Sequence, residues 1–320
     1  MIDIQGLALE LTAAYAGRRA LATPPSSRDG LDLPTAYAVE RELVRMRRAA
    51  GHRSVGVKVG YANKALWRAL KLETLVWAHM YDDTVRYAHG NAAALSLARM
   101  ISPRIEPEIV FKMKAPLGAG ITEAAAAGIT GAVAAGITEA VAALQAVEWL
   151  ALGFEIIDCP YADWKYQPAD FVAAYGLHTA LIVGEPHPVT AANISELVEQ
   201  LPTFKVRLSR DGIGERAAAS EPRERSAPAE RRARERAGES EGQSPSDEID
   251  GSGRNSLRSP ALCLAELASA MAKQEGAEPL AAGDLVSSGT LTDSTPIHPG
   301  ATWTASVEGI ALSTLALTLT

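Results

Sequence analysis

Glu106 and Glu108 stand two positions apart in RIEPEIVF (104–111), alternating with Ile105, Ile109 and Phe111. In an extended segment this spacing puts both carboxylates on one face. Like charges held side by side in apolar surroundings repel strongly. They need a cationic side chain, a shared proton, a metal ion, or bulk water if the strand is exposed. Three more stretches carry isolated polar groups. Glu155 is a lone carboxylate in GFEIID (153–158), and Lys58 is a lone ammonium in GVKVGY (56–61). GDLVSSGTLTD (283–293) is a strand pattern ending in small hydroxyl residues.

Each of these also fits a structural role when taken singly. Glu-x-Glu fits a solvated strand face, Glu155 an edge charge, Lys58 a lysine reaching to the surface, and SSGT a turn. Taken together, three carboxylates in apolar strands suit a hard divalent cation, Mg²⁺ or Mn²⁺, with positions left open for substrate and water. The six histidines show no ligand spacing and no Cys-x-x-Cys occurs, which argues against zinc. Neither a phosphate-binding P-loop nor a dinucleotide-binding glycine fingerprint is present.

The elements that must hold these residues are legible in outline. Helical periodicity runs through the first ~50 residues. Asp32 and Pro34 suit the start of a helix that stops at Gly51. Segments 54–61, 105–113, 154–158, 179–184, 204–212, 284–290 and 302–319 read as strands. Segments 63–71, 140–151, 190–201 and 260–274 read as helices. Helices first and strands afterwards, with few regular crossovers, favour an α+β fold. The organisation expected is an N-terminal helical region, 1–52, and a β-rich catalytic domain, 53–320.

Two stretches look inserted. Residues 118–142 repeat GIT at 120, 128 and 136 in an alanine-rich context, read as a local expansion extending the helix toward Trp149. Residues 214–248 contain no apolar residue larger than alanine until Ile249 and are rich in charge, Pro, Ser and Gly. That composition predicts a disordered loop. Its flanks, VRLSRDG and DGSGRNSL, are expected to pair as a hairpin, so that the insertion hangs from a turn.

Composition bounds the rest. The chain has 320 residues, 47% of them hydrophobic, and a net charge of -7, so a general nucleic-acid-binding surface is not expected. Two cysteines are too few for a disulfide framework and read as small buried groups. No basic-then-apolar leader and no apolar run of the ~18 residues a bilayer requires is evident. The sequence reads as cytoplasmic, without a membrane partner.

GVKVGY, HMYDDTV, PRIEPEIVF, EWLALGFEIIDCPYADW and LAAGDLVSSGTLTD occur in this order over about 35–320. In that order and spacing the chain resembles the fumarylacetoacetate hydrolase superfamily, nearest its 2-keto-4-pentenoate hydratase and oxalocrotonate decarboxylase branch. The resemblance implies an α+β fold of folded, mixed β-sheets, Mg²⁺ or Mn²⁺ as cofactor, and a homo-oligomer. It implies metal ligands at Glu106, Glu108 and Glu155, and acid/base or carboxylate-binding duty at Lys58. It also implies an acidic catalytic residue at Asp83, with Asp82 the alternative, and substrate contact at Thr290. The implied activity is a metal-dependent lyase that hydrates a short unsaturated 2-oxo or 2-hydroxy-dienoic acid in aromatic-compound breakdown. Alternatives are a 4-oxalocrotonate-type decarboxylase, an acylpyruvate C–C hydrolase, and an inactive homologue serving as an assembly partner. One departure stands out. Where hydratases of this group carry a polar stretch, this chain has DFVAAYGLHTA (170–180), in which His178 is either a replacement polar group or a histidine at a strand start.

Overall fold

The computed structural model describes residues 2–118, 132–211 and 248–320 of the chain. Its N-terminal region is helical: α1 (Ile4–Ala16), the short α2 (Pro25–Arg28) and α3 (Leu33–Ala49). The Asp3 carboxylate accepts the Gly6 N–H at 3.0 Å, and Asp32 accepts that of Thr35 at 2.9 Å. Each thereby satisfies an otherwise orphaned N–H of the first turn. Pro34 sits in the first turn of α3, and the chain leaves that helix at Gly51 with φ +90°. Leu7 and Leu11 of α1 and Val39 and Leu43 of α3 join the same apolar core as the strands.

The chain continues through β1 (Ser54–Gly60), α4 (Lys64–Leu70), β2 (Val76–Tyr81), β3 (Val85–Tyr87), β4 (Ala92–Leu95) and β5 (Pro103–Met113). Next come α5 (Ala132–Gln145), β6 (Val147–Asp158), α6 (Pro168–Ala173), β7 (His178–Val183), β8 (His187–Pro188), α7 (Ile194–Gln200) and β9 (Lys205–Asp211). The last part holds β10 (Glu248–Ser252), α8 (Pro260–Lys273), β11 (Leu285–Ser287), β12 (Thr295–Pro296), β13 (Thr302–Glu308) and β14 (Leu315–Leu319). Among the described residues the strands form two mixed sheets. The larger runs β2-β1-β11-β5-β6-β7-β3, with β12 also on β5 and β8 also on β6; the smaller runs β10-β9-β13-β14-β4. This is the expected α+β arrangement of mixed sheets.

Three differences from expectation concern how the strands are built. The helix expected over 140–151 stops at Gln145, and Val147 opens β6, whose Leu150 and Trp149 pair with Phe111 and Lys112 of β5. Cross-strand packing there outweighs local helical preference. The segment 302–319 is two antiparallel strands, divided near Gly309 at φ +88°. Strand β11 ends at Ser287, two residues before Gly289 turns the chain.

The third GIT copy lies within α5, while residues 119–131 fall outside the described part. So does the charged segment through residue 247; its flanks do pair, as the antiparallel β9 and β10. Both cysteines are buried and free. Among the described residues no helix is long and apolar enough to cross a membrane.

Candidate active site

Five adjacent strands, β1, β11, β5, β6 and β7, carry the polar groups that stood out in the sequence. Lys58 lies opposite Ser287 across β1 and β11. Glu106 lies directly opposite Glu155 across β5 and β6, and Glu108 opposite Gly153. Facing carboxylates destabilise a sheet unless something offsets their charge. One oxygen from each of Glu106, Glu108 and Glu155 falls within 4.8 Å of the others. Glu108 and Glu155 are wholly buried. Glu106 is half-buried and, with Lys58, Arg104, Trp164 and Thr290, lines a cavity of about 1070 Å³.

Lys58 is almost wholly buried, its ammonium 2.9 Å from Glu155 Oε2. The approach lies off the hydrogen-bonding direction, so Oε2 has an ion-pair neighbour but no directed donor. Nζ instead donates to the Gly176 carbonyl at 3.1 Å and sits 4.9 Å from the centre of the Phe171 ring. Glu108 Oε2 accepts the Ser287 hydroxyl at 2.5 Å and the Gly289 N–H at 2.9 Å, whereas Oε1 is buried without a partner. Gly289 has φ +89°, and a Cβ there would lie 2.8 Å from that of Ala62. Only glycine places this N–H on the carboxylate without strain.

The charges act on one another. Burial pushes the Glu108 carboxyl well above the usual carboxylate range, and Glu155 and Glu106 add to the effect. Burial likewise pushes Glu106 up to about 7, against the pull of Lys58. For Glu155 burial acts upward too, but Lys58 and His178 outweigh it and hold the group below its ordinary value. Burial lowers Lys58, yet the three carboxylates prevail and raise it. Ionised together, the three carboxylates would carry more negative charge than the one ammonium offsets, and two buried oxygens are free of directed donors. A donor set made only of carboxylate oxygen, short of cations, fits a hard divalent ion.

The structure brings together Lys58, Glu106, Glu108 and Glu155, with Thr290 in the cavity wall, where its hydroxyl donates to the Thr292 carbonyl at 2.8 Å. It does not bring Asp83 to them. Asp83 is exposed, ion-paired with Arg47, and lines a different cavity, and Asp82 pairs with Arg53. The residue of YDDT that connects to the cluster is Thr84, whose Oγ1 is 2.9 Å from Nε2 of His178. The other imidazole nitrogen, Nδ1, is 2.9 Å from Glu155 Oε1. His178 does open β7, and it also partners Glu155. Arg104 carries no role in the sequence reading, although alternation puts it on the face of Glu106. Its guanidinium sits 4.1 Å from the centre of the Trp164 ring, and its Nη1 donates to Ser294 Oγ at 3.3 Å. Ser287 was visible only as part of a hydroxyl-rich strand end.

No family model matches the chain. It is 29% identical over 187 residues to a 2-hydroxyhexa-2,4-dienoate hydratase of Comamonas testosteroni, covering 58% of this chain and 63% of that protein, less than two thirds of its length. It is 30% identical over 190 residues to a 2-hydroxypent-2,4-dienoate hydratase of Pseudomonas putida, covering 57% of this chain and 77% of that protein. Its fold is that of 4-oxalocrotonate decarboxylase from Pseudomonas putida G7, solved with magnesium and adipate: TM-score 0.73 at 21% identity, over 99% of this chain and 97% of the other. The chain belongs to the family of the 2-hydroxypent-2,4-dienoate hydratases.

Proposed function

We propose that the protein is a divalent-metal-dependent hydro-lyase that adds water to a short unsaturated 2-oxo acid, taken up as its 2-hydroxy-dienoic form. The observation that carries this reading is the convergence of three carboxylates from β5 and β6 beside a buried lysine, at the wall of a cavity large enough for such a substrate. Glu106, Glu108 and Glu155 would hold Mg²⁺ or Mn²⁺, and the magnesium-bound structural relative supports that choice of ion. The ion would supply polarisation of the 2-oxo group and offset the carboxylate charge that keeps Lys58 protonated.

The chain's own residues do the remainder. As an ammonium, Lys58 delivers a proton to the terminal carbon while the enol hydroxyl releases its own to solvent, which leaves the conjugated 2-oxo acid. As the free amine, it accepts a proton from the water whose oxygen adds at C4 and returns it to C3, which closes the resulting enolate to the ketone. Ser287 and the Gly289 N–H keep Glu108 in place. Arg104, fixed against Trp164, joins Lys64, Arg254 and Arg258 in giving the cavity wall a positive charge that attracts an acid. Thr290 lines the substrate end.

The second reading is decarboxylation of a 4-oxalocrotonate-type dicarboxylate. The same cationic wall favours it, since it can receive a second carboxylate. Both readings are tested by following dienol absorbance on 2-hydroxypenta-2,4-dienoate and oxalocrotonate, with and without EDTA. Absorbance loss that EDTA abolishes and that releases no CO₂ supports hydration; CO₂ release supports the second reading. EDTA-insensitive turnover contradicts both. A place in aromatic-compound breakdown and a homo-oligomeric state belong to this proposal; light scattering tests the latter.

A further inference from the structure

The stretch 174–178, AYGLH, looks at first like a loss of polar function. In space it touches both charged partners of the site. Tyr175, Gly176 and Leu177 have φ of +56°, +59° and +58° in succession. Backbone this strained persists where its surroundings over-determine it. The Gly176 carbonyl accepts Lys58 Nζ, and a Cβ at residue 176 would lie 2.8 Å from Lys58 Cδ. Two residues on, the buried His178 ring is bracketed by Glu155 Oε1 and Thr84 Oγ1, each 2.9 Å away. Thr84 is itself tied to its own turn, its Oγ1 accepting the Tyr81 N–H at 3.2 Å; with the imidazole hydrogen on Nδ1, its one hydroxyl hydrogen is shared between His178 Nε2 and the Tyr81 carbonyl, each 2.9 Å away.

We propose that His178 is a positioning residue of the metal centre: its Nδ1–H holds Glu155 Oε1 so that Oε2 stays available to a divalent cation. The inference rests on the metal reading above. A carboxylate has two oxygens and rotates freely about its last bond. Engaging Oε1 from outside the cluster fixes the rotation and leaves Oε2, beside the Lys58 ammonium at 2.9 Å, as the oxygen without a directed donor. Thr84 restrains the ring from its far side, so the turn after β2 supports a ligand on β6 through one imidazole. Groups that orient a metal-binding carboxylate typically change metal affinity by 10–100-fold when lost.

The test is Mn²⁺ binding to the substrate-free protein, followed by electron paramagnetic resonance of free Mn²⁺ and by calorimetry. His178→Ala is expected to weaken binding by about 10–100-fold. His178→Gln, whose amide can donate to Oε1, is expected to recover most of the affinity, a rescue that a role in packing alone does not explain. Thr84→Val, which never touches Glu155, is expected to weaken binding by less than His178→Ala, and with His178→Gln it carries the test if the alanine variant does not fold. Equal affinity in parent and His178→Ala, or no better binding by His178→Gln than by His178→Ala, overturns the positioning role and leaves the metal centre standing. A parent protein that binds no Mn²⁺ overturns the metal reading and this inference with it.

Discussion

Among the described residues, two clusters bring three potential ligand atoms within 4.8 Å of one another: Glu106, Glu108 and Glu155 inside the larger sheet, and His52, Asp82 and Asp83 at the surface. They differ in what surrounds them. The surface acids are answered by Arg47 and Arg53 and by water. The buried acids have one ammonium among three, and two of their oxygens lack directed donors. A charge in water costs little to leave where it is, whereas a charge in a packed sheet must be offset. Proximity of acids therefore does not by itself make a site. Burial combined with incomplete compensation does, and only the inner cluster has both.

Substitutions should separate the two regions sharply. Glu155→Gln is expected to lower metal-dependent turnover by more than about 100-fold and to weaken Mn²⁺ binding, with little change in secondary structure. Steady-state kinetics and calorimetry on the same preparation read both. Lys58→Met is expected to reduce turnover by roughly 10²–10⁴-fold. It should also cost the metal-free protein about 3 kcal/mol, because it leaves Glu155 buried without its ammonium; chemical denaturation in EDTA measures this.

The pH dependence sharpens the contrast. Glu106 is pushed up to about 7 from an ordinary 4.5, so between those values the folded chain binds more protons than the unfolded one. Stability in EDTA therefore falls as pH rises through that window. The His79–Glu40 pair, whose imidazole is raised by its carboxylate against the effect of burial, loses stability in the same direction above the ordinary histidine value. The informative quantity is accordingly the difference between parent and Glu106→Gln. The variant should show a flatter decline in melting temperature from pH 5 to 8. Added Mn²⁺ should reverse the trend in the parent, since it competes with protons for the same oxygens. The smallest effect belongs to the surface. Asp83→Asn is expected to cost under about 1 kcal/mol and to leave Mn²⁺ affinity unchanged.

How much of this was legible in the sequence follows from the range of each interaction. The shared face of Glu106 and Glu108 is a local consequence of strand alternation, and Asp32 and Pro34 announce α3 as local capping chemistry. The pairing of Glu106 with Glu155 depends on strands some fifty residues apart, and nothing in either segment encodes their register. The same holds for His178, whose meaning comes from Glu155 and Thr84 arriving on either side of it. The position of Asp83 apart from the cluster was not legible, because an acid in a polar turn looks alike whether it faces a cavity or an arginine. Thr84, one residue later, makes the connection instead. Trp149 shows the opposite failure: a plausible helical continuation gave way to a partner strand that the local pattern does not contain.

The most direct measurement is anomalous diffraction from crystals grown with Mn²⁺. The account predicts one strong manganese peak bounded by carboxylate oxygens of Glu106, Glu108 and Glu155, with none beside His52, Asp82 and Asp83. A peak at the surface cluster alone, or none between β5 and β6 at saturating Mn²⁺, would contradict it.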